Sequence, residues 1–261
     1  MKKYEIKKNK MLLIDDEIDL DIQMDFPFVE TDNAKNFFYE TFSSYKLKYL
    51  MKENKLHGKY FMLYPNGRIK QKCFYFENKL HGPSYFYSED EKLLSESWFV
   101  FGKRQGQTLQ YYPSGKIYCK IFFKNDLKEG LHQYFYEDGS VKTKMFFIKD
   151  LLHGEVFLFW PNKKIKRNLF FQNGKRHGWD HIYNEKGILI DEGKYENDQP
   201  KGVHRIWTDD KKLKEETIFD NDFTQWKKYD DNEEFVYEKI ISSEMSFEKE
   251  KENGEWIKRI L

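Results

Sequence analysis

The chain is poor in cysteine and alanine and has no long apolar run. Its two cysteines, Cys73 and Cys119, fall at different places in the repeat described below. We therefore expect them to lie apart, and predict free thiols in a reducing compartment. No segment approaches the roughly 18–20 apolar residues of a membrane-spanning helix, and the apolar run Met11–Ile14 is too short for the core of a signal peptide. These features predict a cytoplasmic protein.

An excess of charge of either sign is also missing. The chain has 45 basic and 44 acidic side chains, whereas a nucleic-acid-binding protein usually carries a basic excess. The sequence contains no nucleophile elbow, phosphate-binding loop or dinucleotide-binding fingerprint. We therefore predict a protein that is not an enzyme, needs no cofactor and does not bind nucleic acid.

The sequence is rich in aromatic residues and carries a strict repeat. Aromatic side chains make up 18% of the residues, a composition that is typical of strands. Glycines recur every 24 residues without insertion or deletion, at Gly58, Gly82, Gly106, Gly130, Gly154, Gly178 and Gly202. A regular period of this length indicates a repeat architecture. Repeat positions are counted below from each of these glycines, which is position 0.

The residue pattern within each 24-residue repeat predicts two strands and two tight turns. Positions 5, 11 and 17 carry Phe135, Val141 and Phe147 in one unit and stay apolar or aromatic in the others, so we predict that they form the core. Turn residues such as Asp138 and Gly139 separate positions 5 and 11. Position 20 is always Gly, Asn or Asp, the types that tolerate positive φ. The sequence therefore predicts an all-β fold, an elongated antiparallel sheet of stacked β-hairpin repeats.

The repeat array predicts three parts in the chain. Residues 1–33 precede the repeats and include the alternating segment Glu17–Phe26, which is typical of a strand with one wet face. Residues 34–225 form the array, starting with a divergent unit at Ala34. Residues 226–261 contain a degenerate unit and a tail whose Asn253-Gly254 predicts a hairpin. We predict that both flanks are short caps, because a stack needs atypical units at its ends.

Histidines recur directly before four of the repeat glycines, at His57, His81, His153 and His177. Equivalent positions are separated by about 10 Å because each repeat adds two strands, and a zinc ion needs ligand nitrogens at about 2.0–2.1 Å. Gln105, Glu129 and Lys201 replace histidine in other units. We therefore predict no metal site, and expect these histidines to hydrogen-bond to neighbouring backbone in the turns.

The repeat unit resembles the MORN repeat, and most closely the bacterial variant found in antitoxin-like proteins. The matching stretches are LHGKYFMLYPNGRIK, EGLHQYFYEDGSVKTKMFF and FFQNGKRHG, and the resemblance covers about residues 34–219. It implies a single twisted, elongated sheet of hairpins that acts as a scaffold, a partner-binding module or a membrane-apposed linker. The antitoxin-like variant would imply a cognate toxin as the partner.

A second set of aromatic residues lies outside the predicted core, at positions 4, 6 and 16. Large exposed apolar patches mark interaction sites, and Tyr and Trp are favoured there as anchors. Rings that merely pair across strands are the other explanation, with equal weight. If the rings share one open face, the predicted partner-binding residues are Phe86, Trp98, Tyr112, Phe122, Tyr136, Phe146 and Trp160.

Lysine and arginine also recur beside the second strand of each unit, at Arg68, Lys70, Lys116, Lys142, Lys164, Lys166, Lys212 and Lys214. Such rows could meet anionic lipid headgroups, although solvated edge lysines are the simpler explanation. Our leading hypothesis is a non-enzymatic protein-binding module or scaffold, with an antitoxin or immunity protein as one form of it. The alternative is a membrane-apposed scaffold that uses the lysine rows.

Overall fold

The computed structural model describes residues 3–7, 10–14, 24–25, 37–252 and 254–261, and every regular element in these ranges is a β-strand. The predicted all-β fold of antiparallel hairpins is therefore confirmed. Most of the predicted strand Glu17–Phe26 lies outside the described residues, which include only Met24–Asp25 of it. Over the same ranges, no helix has the length and apolar character needed to cross a membrane.

The chain divides into two compact units, Met1–Thr108 and Leu109–Leu261. In the first unit, β1, β2 and β3 form a small antiparallel sheet, and β4 to β11 pair in chain order as a second one. The strands are β1 Lys3–Lys7, β2 Lys10–Ile14, β3 Met24–Asp25, β4 Phe37–Thr41, β5 Lys46–Lys52, β6 Lys55–Leu63, β7 Ile69–Phe76, β8 Lys79–Leu80, β9 Gly82–Tyr87, β10 Leu93–Val100 and β11 Lys103–Arg104.

The division between the units falls within β12, Gly106–Tyr111. In the second unit the strands up to β27 are antiparallel and follow one another in chain order. These strands are β13 Ile117–Lys124, β14 Leu127–Lys128, β15 Gly130–Phe135, β16 Val141–Ile148, β17 Leu151–Leu152, β18 Gly154–Phe159, β19 Ile165–Gln172, β20 Lys175–Tyr183, β21 Leu189–Glu196, β22 Gln199–Trp207, β23 Leu213–Phe219, β24 Phe223–Tyr229, β25 Phe235–Ser242, β26 Ser246–Glu252 and β27 Glu255–Ile260.

The turns adopt the backbone conformations that their residues favour. Between successive 24-residue repeats, positions 19 and 20 both have positive φ, as at Lys149 (47°) and Asp150 (68°), which is the geometry of a two-residue hairpin turn. The restriction of position 20 to Gly, Asn and Asp follows from this geometry. The Asp150 carboxylate also accepts a 2.6 Å hydrogen bond from the backbone N–H of Lys128, which belongs to the preceding 24-residue repeat. The turn residues therefore fix the backbone and join neighbouring hairpins at the same time.

Both faces of the sheet are partly buried, and strand alternation together with one bulge decides which positions share a face. In one hairpin Gly130 pairs with Phe147 and His132 with Met145, so positions 0, 2, 15 and 17 share a face, here called the inner face. Alternation along β15 places position 5 on the other face, the outer face, with positions 1, 3, 14 and 16. The register shift between Tyr134 and Phe135 leaves Lys142 as an extra residue on β16, so Val141 at position 11 lies opposite Phe135 on the outer face. The prediction that positions 5 and 17 form one core is therefore wrong.

Position 2 of the inner face, which the sequence did not single out, is buried in several repeats. His132 is 1% exposed and Asp180 is 5% exposed, and other units carry Ser84, Thr108 and Val156 there. Position 17 contributes Phe123 and Phe147 to the same layer. Cys73 and Cys119 are buried and free, and burial raises the pKa of their thiols to about 12 and about 11. Both cysteines are therefore unreactive core residues at neutral pH.

Candidate interaction surface

The seven predicted partner-binding residues do not share one face. Phe86 pairs with Ser95, whereas Trp98 pairs with Pro83. Since Pro83 and Phe86 are three residues apart on one strand, the two rings lie on opposite faces. Position 4 alternates with positions 0 and 2 on the inner face, whereas position 16 pairs with position 1 on the outer face. The interpretation of positions 4, 6 and 16 as one aromatic face is therefore wrong.

Three of the seven residues, at position 6, tie neighbouring hairpins together at their tips. The hydroxyls of Tyr112 and Tyr136 each donate a 2.7 Å hydrogen bond to the carbonyl of the residue 23 positions ahead, Phe135 and Phe159 respectively. The indole Nε1 of Trp160 donates to its equivalent carbonyl at 3.0 Å. Burial raises the pKa of both tyrosines, so their hydroxyls remain donors at neutral pH. These rings have a structural role at the rim of the sheet.

The lysine rows contact the same rim. The ammonium groups of Lys142 and Lys166 lie 5.6 and 4.3 Å from the ring centroids of Tyr136 and Trp160. The Lys164 ammonium donates a 2.8 Å bond to the carbonyl of Lys186 on the next hairpin. In the first unit, Arg68 donates in the same way to Glu89. These cations stabilise neighbouring turns through cation–π contacts and carbonyl bonds.

The residues directly before the repeat glycines bond to the backbone of the next turn. The N–H of Phe101 donates to Nδ1 of His81 at 3.3 Å, and the N–H of Lys149 donates to the Glu129 carboxylate at 2.9 Å. The predicted structural role is therefore confirmed at His81, and it explains why a glutamate can replace histidine. In the described part of the chain, no cluster of three or more His, Cys, Asp or Glu side chains could hold a metal ion.

The outer face of the second unit carries a strip of exposed apolar side chains. Leu131 pairs with Phe146 in one hairpin, and Phe170 and Trp179 lie on the same face of the next strands. Each member of the strip is between 37% and 51% exposed. The apolar strip consists of Leu127, Leu131, Phe146, Ile148, Leu151, Phe170 and Trp179. Of the predicted residues, Phe146 belongs to the strip, while Phe122 on the same face is only 6% exposed and packs as core.

Charged side chains delimit this strip. Lys120 and Lys144 lie on the outer face at position 14, and Lys175 lies near the turn end of β20. Lys194 pairs directly with Trp179, and Glu155, which pairs with Phe170, is an acid within the strip. The strip is therefore an apolar surface with mostly cationic neighbours.

Beyond Trp179 the outer face becomes a row of paired charges. Residues directly opposite one another on β20 to β26 alternate in charge, in the order His181, Glu192, Arg205, Glu216, Lys227, Glu238 and Lys249. The Arg205–Glu216 and Lys249–Glu238 contacts are 3.0 and 2.7 Å long. A partly exposed pair stabilises a fold by roughly 0–1 kcal/mol. This ladder of charges marks the end of the apolar strip.

The inner face of the same region holds a partly buried ion pair. Arg167 donates two hydrogen bonds, of 2.8 and 2.5 Å, to the buried carboxylate of Asp180. Burial, followed by the neighbouring Asp180, raises the pKa of Asp191 above its ordinary value, while His204 and Arg167 act in the opposite direction. His204 packs against Gly193 and its Nε2 lies 2.8 Å from the carbonyl oxygen of Lys194. These polar groups of the inner face are therefore engaged with one another.

Sequence reasoning missed Leu131 and Trp179, the members of the strip at position 1. Position 1 is Leu, Trp, Glu, Lys, Pro, Gln or Val in different units, so no ladder is visible there. Its pairing with position 16 carries the signal, because cross-strand partners share a face. Once position 16 is considered as an outer-face residue, position 1 follows as its neighbour.

A sheet of repeated hairpins is the architecture of a repeat protein. A family model described as "MORN repeat variant" matches residues 56–78, 104–125, 128–149 and 152–173. The resemblance to MORN repeats is therefore confirmed at these four repeats, and such repeats are in general protein- or membrane-binding modules. No curated protein matches the chain.

Proposed function

We propose that this chain is a non-enzymatic, cytoplasmic binding module that holds a partner protein along the apolar strip of residues 109–261. The observation that carries the proposal is the exposure of Leu131, Phe146, Phe170 and Trp179 on one face. An exposed patch of large apolar side chains is typical of an interaction surface. Because the strip lies on paired strands, little conformational entropy is lost when a partner binds.

The charges beside the strip define the kind of partner. Lys120, Lys144, Lys175 and Lys194 surround it, so a binding segment with apolar side chains and acidic neighbours would be electrostatically complementary. Trp179 is the strongest candidate anchor, since Trp side chains dominate the energy of many interfaces. We expect Trp179 and Phe170 to contribute most of the binding free energy.

A cognate toxin is a narrower form of the proposal, and the resemblance to antitoxin-like variants supports it. Co-expression with the protein encoded by a neighbouring reading frame provides the test. Rescue of growth by the wild-type chain, and loss of rescue when Trp179 is replaced by Ser, would support an antitoxin role. Rescue that survives this replacement would contradict binding of the toxin at the strip.

A membrane surface is the alternative partner, and the lysine rows are its basis. The contacts at the hairpin tips do not favour it, because Lys142, Lys164 and Lys166 are engaged with rings and carbonyls of the rim. Flotation with vesicles that contain anionic phosphatidylserine tests it. Salt-sensitive binding that needs these lysines would support the membrane role, and absence of binding would exclude it.

Photocrosslinking from defined positions tests the protein partner. A photoreactive residue is placed at Phe170, which is 37% exposed on the outer face, or at Ile206, which is 38% exposed on the inner face of the same unit. We expect a crosslinked protein at Phe170 that is absent at Ile206 and is reduced when Trp179 is replaced by Ser. Equal labelling from both positions would contradict a binding site at the strip.

A further inference from the structure

The apolar strip runs across the strands of the second unit rather than along them. Its larger members are Leu131 on β15, Phe146 on β16, Phe170 on β19 and Trp179 on β20. The pairings β15–β16, β16–β18, β18–β19 and β19–β20 give four spacings between these strands. At about 4.8 Å for each spacing, the strip is about 19 Å long from Leu131 to Trp179. A partner must therefore place successive side chains at intervals close to the distance between neighbouring strands.

The backbone of these strands is directed to neighbouring strands rather than to the face that carries the strip. An extended segment laid on this face would bury backbone N–H and C=O groups without partners. An α-helix satisfies its backbone groups internally. One helical turn also advances about 5.4 Å, whereas two residues of an extended segment advance about 6.7 Å. A helix therefore matches both the chemistry of the face and the distance between its strands.

A single acidic side chain interrupts the strip. Glu155 on β18 lies opposite Phe170 and is exposed. Its carboxylate makes no hydrogen bond or ion pair within the part of the chain that the structure describes. A partner that covers the strip removes water from this carboxylate, and a buried charge without a partner is strongly destabilising. A covering surface with a cation at its centre removes this penalty, so Glu155 selects for a basic residue in the partner.

The lysines beside the strip define the flanks of the covering surface. Lys144 lies on the same face of β16 as Phe146, and Lys194 pairs with Trp179. Lys175 lies near the turn end of β20. Acidic side chains on both sides of an apolar stripe are electrostatically complementary to these cations. A second copy of the chain would bring the same excess of cations to the interface, which opposes association.

We propose that the partner presents an amphipathic α-helix to the apolar strip. The apolar stripe of this helix is interrupted by one lysine or arginine, which pairs with Glu155, and acidic residues flank the stripe on both sides. At about 1.5 Å per residue, a helix of about 13 residues covers the length of the strip. The proposal rests on the proposed function of the strip and names the element of the partner that binds there.

Two synthetic peptides, titrated into the full chain by isothermal calorimetry, test the helix. The first has about 18 residues, with leucines at helical spacing, one lysine in the centre of the leucine stripe and glutamates on both flanks. The second has the same composition, with leucines at every second residue, the spacing of a strand. We expect a Kd at least about tenfold lower for the first peptide, and a gain of helical circular dichroism when it binds. Equal affinity of the two peptides, or no binding of the first at millimolar concentration, would overturn the proposal.

Exchange of charge at Glu155 tests where the helix binds. Glu155→Lys should weaken binding of the first peptide at least about tenfold, and replacement of the peptide's central lysine by glutamate should restore it. This restoration requires a folded chain, so it separates loss of the ion pair from loss of folding. Glu137→Lys, at an exposed turn residue between β15 and β16, is the matched control and should leave the Kd unchanged. The same Kd for wild type and Glu155→Lys would overturn the pairing with Glu155.

The experiments separate failure of the helix from failure of the proposed function. A partner that crosslinks from Phe170 through a segment without helical spacing would overturn the helix, whereas binding at the strip would stand. Equal crosslinking from Phe170 and Ile206 would contradict the binding site itself. Sedimentation of the chain without peptide tests a second copy as the occupant, and we expect no association that depends on Trp179. Self-association that Trp179→Ser abolishes would show that a second copy covers the strip, and would overturn the proposal.

Discussion

The Tyr136 hydroxyl donates a 2.7 Å hydrogen bond to the carbonyl oxygen of Phe159, which lies on the next hairpin of the same unit. Trp160 makes the corresponding bond, to Tyr183, with an indole N–H instead of a hydroxyl. Position 6 is thus a ring with a hydrogen-bond donor at its tip in three repeats of this unit, at Tyr112, Tyr136 and Trp160. These hydrogen bonds show that aromatic residues at position 6 join neighbouring repeats. They therefore leave the apolar strip on the outer face as the candidate binding surface.

Removal of one tip hydroxyl should weaken the sheet without changing its fold. Tyr136→Phe leaves the Phe159 carbonyl without this donor, and we expect a loss of about 1 kcal/mol in the free energy of unfolding. Urea denaturation followed by circular dichroism measures it. Tyr118→Phe is the matched control, since the Tyr118 ring packs edge-on against Tyr134 at 5.7 Å, and its hydroxyl makes no hydrogen bond to the described part of the chain. An equal loss in both variants would show that the tip bond does not stabilise the unit.

Replacing Arg167 and Asp180 together should cost less stability than replacing Asp180 alone. Asp180→Val leaves the guanidinium without its bidentate partner, so we expect a loss of about 2 kcal/mol in the free energy of unfolding. The preceding repeat carries Thr143 and Val156 at the same positions. The double variant Arg167→Thr, Asp180→Val should therefore lie within about 1 kcal/mol of wild type. A double variant that loses as much as the sum of the two single variants would contradict an ion pair that acts as a unit.

Asp191 should make stability depend on pH in the acidic range. Its pKa is raised in the folded chain, so between the ordinary value of 3.8 and the raised value the folded state binds more protons than the unfolded state. The free energy of unfolding contributed by Asp191 therefore falls as pH rises through this window and stays lower above it. Asp191→Asn should remove that fall and be more stable than wild type at pH 7.

The difference between wild type and Asp191→Asn, measured by urea denaturation at several pH values, isolates this effect from other titrating groups. Asp210→Asn, at an exposed turn residue, is the control and should show no such difference. A difference that grows as pH falls from 7 would have the opposite sign to the expected one and would contradict burial as the cause.

Gly193 should be required because His204 occupies the space of a side chain. A Cβ at Gly193 would clash with Nδ1 of His204. Gly193→Ala should therefore cost roughly 1–3 kcal/mol of unfolding free energy. Adding His204→Val, the residue type that Val156 provides at this position, should recover most of the loss. Thermal unfolding of the single and double variants measures it, and the absence of recovery would contradict this steric cause.

The sequence predicts the period, the strand pairs and the turns, because each depends on local residue types. Asp150 shows this, since its positive φ of 68° follows from its position in a two-residue turn. The assignment of faces was not predictable, because the bulge opposite Tyr134 and Phe135 adds Lys142 to β16 and so puts positions 11 and 17, six residues apart, on opposite faces. Nor was position 2, because its buried residues range from Ser84 to Asp180 and are satisfied by contacts from neighbouring strands.

The candidate surface was predicted only in part for the same reason. Phe146 lies in the apolar strip, whereas Tyr112, Tyr136 and Trp160 bond to the next hairpin. An aromatic side chain with a polar tip can be exposed and bind a partner, or it can be partly buried and hydrogen-bond to the next hairpin. Its sequence context is similar in both cases. The position of the nearest backbone carbonyl distinguishes these two roles, and that position depends on the tertiary structure.

The central claim is that a partner protein binds along the apolar strip. The most direct test is the affinity of the partner identified by photocrosslinking for matched variants of the chain. Wild type, Phe170→Ser with Trp179→Ser, and the inner-face control Ile206→Ser are titrated with the purified partner by isothermal calorimetry. The account predicts at least about a tenfold weaker Kd for the strip variant and a wild-type Kd for the control. Equal Kd values for the strip variant and wild type, with both chains folded, would contradict binding along the apolar strip.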